Sequence, residues 1–262
     1  MAASSIWQKP GGSIDRFAMN TSTPEPRYAI YFVPGADTRL YRFGASVLGY
    51  DCYTGRANAM FDGVDVASWT EFVREPRVYG FHATLKAPFY LAKGLNEADI
   101  ESAALDFASD HSAILVGDLA VRELGSFIAL VPKTARPRLD RLAQACVREF
   151  DRFRAPMSVL ERERRLAAGL SARQIENLKR WGYPYVMEDF RFHMTLTGSL
   201  SLPERSQALQ FLCNRFEQMP TTTSLIVDQV VVARQIDKSS PFHVIRRVQF
   251  GQSPYRPYAF TC

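Results

Sequence analysis

The stretch YGFHATLKAPF occupies residues 79–89, and FRFHMTLTGSL occupies residues 190–200. Both contain Phe-His-x-Thr-Leu. Side chains of a β-strand alternate between two faces. If both stretches are extended, His82, Thr84 and Lys86 share one face of the first, opposite Phe81, Ala83 and Leu85. In the second, Arg191, His193, Thr195 and Thr197 share a face opposite Phe192, Met194 and Leu196. Each strand then has an apolar side to bury and a side carrying imidazole, hydroxyl and cation.

The surroundings of the two stretches match. After the first, apolar residues at Ile100, Ala103, Ala104, Phe107 and Ala108 have helical spacing and predict a helix over 96–109. Two β-rich runs, 118–124 and 126–132, flank Gly125-Ser126 and predict a hairpin. After the second, Leu209, Leu212 and Phe216 mark a helix over 203–218, and strands are predicted over 225–234 and 243–250. The order strand–helix–strand–strand therefore occurs twice, which is the pattern of a duplicated supersecondary unit. Upstream, RYAIYFVP (27–34) predicts a strand that stops at Pro34-Gly35. Helices are predicted near 39–48 and 67–74, the second broken by Pro76. Between the units, 136–150 has helical periodicity. Ser158-x-x-Glu161 and Ser171-x-x-Gln174 are capping boxes for two short helices, 159–168 and 172–181.

A length of 262 residues allows one large domain or two packed lobes. The expected organisation is a flexible tail over 1–26 and one bilobal domain over 27–262. Its first unit covers about 79–132, the helical connector about 136–182 and the second unit about 190–250. No apolar run approaches the roughly 20 residues of a membrane span, and residues 1–26 lack a signal-peptide core. The four cysteines, Cys52, Cys146, Cys213 and Cys262, are far apart in sequence and form no CxxC. Reduced thiols and a cytoplasmic location are expected. The net charge of +5 favours anionic partners such as phosphate esters or nucleotides.

If the two units pack about an approximate twofold, two imidazoles and two hydroxyls converge on one small volume. That set suits a phosphoryl group: the hydroxyls donate to its oxygens, and an imidazole of pKa about 6.5 takes or gives a proton near neutral pH. Lys86 and Arg191 would offset the added charge, and Thr197 extends the same face. Arg27 and Tyr31, on one face of the first strand, could line the groove. His111 and His243 lack such company and read as structural. Trp181, Tyr183 and Tyr185 suit packing better than stacking on a base.

The paired HATL (82–85) and HMTL (193–196) resemble the two His-x-Thr-x signatures of the two-histidine (2H) phosphoesterase superfamily. The longer strings RYAIYFVP, YGFHATLKAPF, WGYPYV and FRFHMTLTGSL resemble a branch associated with phosphonate-utilisation operons. The resemblance implies an α+β fold with two facing antiparallel sheets and helices outside. It implies His82 and His193 as an acid–base pair and Thr84 and Thr195 as phosphate ligands, without metal or cofactor. The expected activity is metal-independent hydrolysis of a small, ribose-based cyclic phosphate by a phosphoric diester hydrolase. Alternatives are a 2′,3′-cyclic nucleotide or RNA-end phosphodiesterase, a 2′,5′-RNA ligase-like enzyme, and a non-catalytic RNA- or nucleotide-binding module. The chain contains no GxxxxGK[ST], GxGxxG, HExxH or GxSxG. The helix pair in 159–181, with its arginine faces, reads as a solvated connector and not as a DNA-binding unit; RNA is an alternative partner, and DNA and membranes are not expected.

Overall fold

The computed structural model describes residues 25–219 and 224–251. All but the last two residues of the expected tail, and Cys262, lie outside the described residues. In chain order the elements are β1 (Arg27–Phe32), α1 (Arg39–Leu48), β2 (Tyr50–Asp51), β3 (Arg56–Ala57), α2 (Val66–Arg77), β4 (Ala83–Tyr90) and α3 (Glu97–Ser109). There follow β5 (Ile114–Gly117), β6 (Leu119–Leu124), β7 (Phe127–Pro132), α4 (Pro137–Phe150), α5 (Val159–Leu166), α6 (Ala172–Trp181), β8 (Met194–Thr195), α7 (Leu202–Glu217), β9 (Leu225–Val227), β10 (Gln229–Gln235) and β11 (His243–Gln249). Single-turn 3-10 helices cover Asp151–Phe153 and Met187–Asp189.

Local chemistry accounts for most helix ends. Asn96 and Asp99 exchange side-chain bonds with each other's backbone amides and start α3; Ser171 and Gln174 do the same for α6. The α2 helix runs through Pro76 to Arg77 instead of stopping before it. The missing Pro76 amide leaves the Phe72 carbonyl without its helical donor, and the Gly198 amide donates to it instead, at 2.7 Å.

The fold is α+β, built on one seven-stranded antiparallel sheet in the order β11-β10-β1-β4-β8-β7-β6. Small pairs β2-β3 and β5-β9 stand apart from it. Both motif strands lie next to each other at its centre, joined through Ala83↔Met194. This corrects the expectation of two separate sheets: backbone bonds between the motif strands merge the halves. The hairpins also exchange places. Hairpin β6–β7, which follows the first motif, pairs with β8 of the second, whereas β10–β11 pairs with β1 beside the first.

The second motif strand is far shorter than 190–200 suggests: only Met194 and Thr195 are ladder residues. Beyond Thr195, the amides of Leu196 and Thr197 both donate to the carbonyl of Ile128, at 2.9 and 3.2 Å. Two residues opposing one is a β-bulge. The first motif bulges at the equivalent place. Tyr31 pairs with Thr84, but the next β1 position, Ile30, pairs with Lys86, so Leu85 and Lys86 together face one residue.

Candidate functional site

Ala83↔Met194 in an antiparallel ladder sets His82 across from Thr195 and Thr84 across from His193. Directly opposed residues have Cβ atoms about 5 Å apart. The four motif side chains therefore form a compact square on one sheet face, all four partly exposed. Tyr31↔Thr84 extends this row by one strand, so Tyr31, Thr84 and His193 stand side by side on β1, β4 and β8.

The two imidazoles are held alike. His82 Nδ1 lies 2.9 Å from the carbonyl of Gly80, and His193 Nδ1 lies 2.7 Å from the carbonyl of Arg191. A carbonyl can only accept, so in the neutral ring Nδ1 carries the proton and Nε2 keeps a lone pair. Thr84 Oγ1, at 3.0 Å, then donates to His82 Nε2. Gly80 makes this possible: its φ of +72° suits glycine, and a Cβ there would lie 2.6 Å from Cys52 Cβ.

Burial lowers the His82 pKa from 6.5 to about 4, opposed by the Gly80 carbonyl and reinforced by nearby His193. Burial also lowers that of His193, opposed by the Arg191 carbonyl. Both rings are neutral at pH 7. The ring of Tyr31 stacks on that of His82, with centroids 3.7 Å apart. Phe127 lies 5.8 Å from His193. Tyr79 stacks on Phe242 with centroids 5.5 Å apart, and the Arg27 guanidinium lies over the same Phe242 ring, 5.5 Å from its centroid.

Of the side chains assigned to this face by alternation, two are elsewhere. Lys86, almost fully buried, donates to Asp151 Oδ1 at 2.6 Å and to the Val147 carbonyl at 3.3 Å. The bulge puts it on the side of Ile30, opposite Tyr31 and Thr84. Thr197 is fully buried; its hydroxyl accepts from the Ile128 amide and donates to the Gly198 carbonyl, both at 3.0 Å. The two bulges reverse the two expectations for one reason, since an extra residue flips every side chain beyond it. Arg191 is exposed at the rim. Arg27 is tied to Gln235 through Nε at 2.7 Å. Tyr31 is buried beneath His82.

Sequence reasoning passed over Tyr79 and Phe127, which lie beside His82 and His193, and Phe242, which packs on Tyr31 and Tyr79 behind them. Tyr79 stood in the quoted motif three residues before His82; Phe242 comes from a distant loop and carried no local signal. Trp181 and Tyr183 pack with Val147, Val186 and Met187 in a small second core. Among the described residues, no group of three or more His, Cys, Asp or Glu is placed to hold a metal ion, and no helix is long and apolar enough to cross a membrane. Cavities of about 460, 450, 330 and 360 Å³ open elsewhere on the molecule.

A family model described as "Protein of unknown function (DUF1045)" matches residues 84–243, more than half of the chain. A protein of Janthinobacterium sp. (strain Marseille) named ribose 1,5-bisphosphate phosphokinase PhnN is 36% identical over 234 residues, covering 86% of this chain and 51% of that protein. One of the same name from Laribacter hongkongensis (strain HLHK9) is 38% identical over 174 residues, covering 66% and 40%. The chain thus spans about half the length, or less, of the curated relatives it matches. A conserved protein of unknown function from Agrobacterium tumefaciens str. C58, ATU0111, superposes with a TM-score of 0.40 at 13% identity, over 85% of each chain.

These names correct the expected activity. The relatives are named as kinases, which are phosphoryl transferases, and not as hydrolases of cyclic phosphates. The reason lies in what the motif specifies. Paired His and Thr side chains describe how a phosphoryl group is held and where a proton can go; they do not specify whether water attacks it.

Proposed function

The chain belongs to the DUF1045 family, and we propose that its two-histidine face binds a phosphorylated ribose and accepts a proton there in phosphoryl-transfer chemistry. The observation that carries this reading is the register Ala83↔Met194, which gathers His82, Thr84, His193 and Thr195 on one partly exposed face. Both rings present an unprotonated Nε2, because each Nδ1 is bonded to the carbonyl two residues before it. A neutral imidazole is a proton acceptor, and the Thr84 hydroxyl that donates to His82 Nε2 in the free protein can turn to a phosphoryl oxygen when a ligand takes its place. Ribose as the sugar comes from the names of the relatives, as does the kinase class. For this chain both are proposals, as are a role in phosphonate metabolism and descent from the two-histidine fold.

A phosphate dianion seated between the rings favours their charged forms. Binding near pH 7 then draws protons from the buffer. Calorimetry with ribose 5-phosphate and ribose 1,5-bisphosphate, in two buffers of different ionisation enthalpy, reads affinity and proton uptake together. Micromolar binding with proton uptake, lost in His82→Ala and His193→Ala variants that stay folded, is the expected result. Equal binding by wild type and the double variant overturns the proposal, as does no binding by the wild type.

A further inference from the structure

The Tyr31 hydroxyl is buried and has no hydrogen-bond partner among the described residues. A buried hydroxyl left unpaired bears its full desolvation cost, so such a group is rare without a function. The ring is 1% exposed and faces the site: it stacks on His82 and stands directly across from Thr84.

Its surroundings keep it a donor. Burial pushes its pKa well above 10, with Tyr79 adding to the rise and Arg27 opposing it. The hydroxyl stays protonated through any working pH. Lys86, which alternation assigned to this face, is turned away by the bulge, which leaves Tyr31 as the innermost polar group of the row.

We infer that the Tyr31 hydroxyl is a ligand-binding donor, aimed at a phosphoryl oxygen of the phosphate ester held between His82 and His193, and left unsatisfied in the free protein. This inference rests on the phosphate-ester reading of the site. Contact requires a side chain beside the hydroxyl to swing aside. Tyr79, partly exposed and packed against His82 and Phe242, the two rings that flank Tyr31, is placed to do so.

Tyr31→Phe removes one oxygen and keeps the stacked ring. Two readouts are expected to move in opposite directions. The melting temperature of the free variant rises by about 2 °C or more, because an unsatisfied group has gone. Affinity for both ribose 5-phosphate and inorganic phosphate falls about 10- to 100-fold, the loss of a hydrogen bond to a charged group. A hydroxyl that is only structural would leave affinity unchanged, and that result overturns the inference while leaving the phosphate-ester site intact. Weakened ribose 5-phosphate binding with unchanged phosphate binding also overturns it, since the donor would then meet the sugar. If the wild type binds neither probe, the site itself falls and the inference with it. A Tyr31→Phe protein that does not fold contradicts it too, because the hydroxyl would then support the free structure.

Discussion

At the scale of the residue, the proposed phosphate site turns on the protonation of two rings. The His82 pKa falls from 6.5 to about 4 in the folded protein, mainly through burial. Well above pH 6.5 the ring is neutral in both folded and unfolded chains, so its contribution to stability is level. Between pH 6.5 and 4 the unfolded chain binds more protons, and stability falls as pH falls. Denaturation with urea at pH 7 and pH 5 should show this loss, and His82→Gln should shrink it. Nuclear magnetic resonance titration of the ring should find it uncharged at pH 6. Lys86 offers a second test at this scale. Its ammonium is buried against Asp151, which Arg154 also grips at 2.9 Å. Burial lowers the lysine's pKa, and the bond it donates to Asp151 counters it. Removing one partner of a buried pair costs roughly 3–5 kcal/mol; because Arg154 still serves Asp151, Lys86→Ala should lie near the lower end. Its phosphate affinity, measured where it is folded, should match the wild type, since the ammonium faces away from the imidazoles.

At the scale of the element, each motif strand bulges just after its threonine, β4 within its eight residues and β8 at the end of its two, and its apolar side is locked from behind. Phe81, the residue before His82, is fully buried against α1 at Gly44. A Cβ on Gly44 would fall 2.0 Å from the Phe81 ring. Glycine costs a helix interior up to about 1 kcal/mol relative to alanine, yet overpacking a core costs about 1–3. The contact is with a ring that cannot retreat, so the clash wins. Gly44→Ala should lower the melting temperature and also weaken phosphate binding, because Phe81 sets where His82 begins. Thermal melts and calorimetry on the same sample check both. The helices themselves were legible in the sequence, since α1, α3, α4, α6 and α7 follow from periodicity and capping residues. The bulges were not. Leu85 and Leu196 look like ordinary inward residues of a continuous strand, and nothing at those positions announces that Lys86 and Thr197 change face.

At the scale of the whole molecule, the two halves are interleaved. Cutting the chain in α5 leaves β1, β4, β6 and β7 on one side and β8, β10 and β11 on the other. The pairings β10–β1, β4–β8 and β8–β7 then join the pieces within one sheet. The α5 helix buries none of its residues and carries exposed arginines, which makes it a natural point for trypsin to cut. The nicked protein should run as one species on a gel-filtration column and separate into two fragments only in denaturant. Fragments that part without denaturant would contradict the hydrogen-bonded joint at the sheet centre.

By itself the sequence determined which residues bear the polar chemistry and the local elements that carry them. A strand shows its two faces through period two, a helix shows its stripe through 3.6, and the duplicated His-x-Thr stands out because both copies obey the same period. Only the tertiary structure decided what those elements do together. It joined the motif strands into one sheet, exchanged their hairpins, buried Tyr31 beneath His82 and turned Lys86 and Thr197 away. The physical reason is that pairing partners and bulges are fixed by hydrogen bonds between residues far apart in the chain, such as Ala83 with Met194 and Thr197 with Ile128. Periodicity reads only neighbours, and those bonds leave no trace in it.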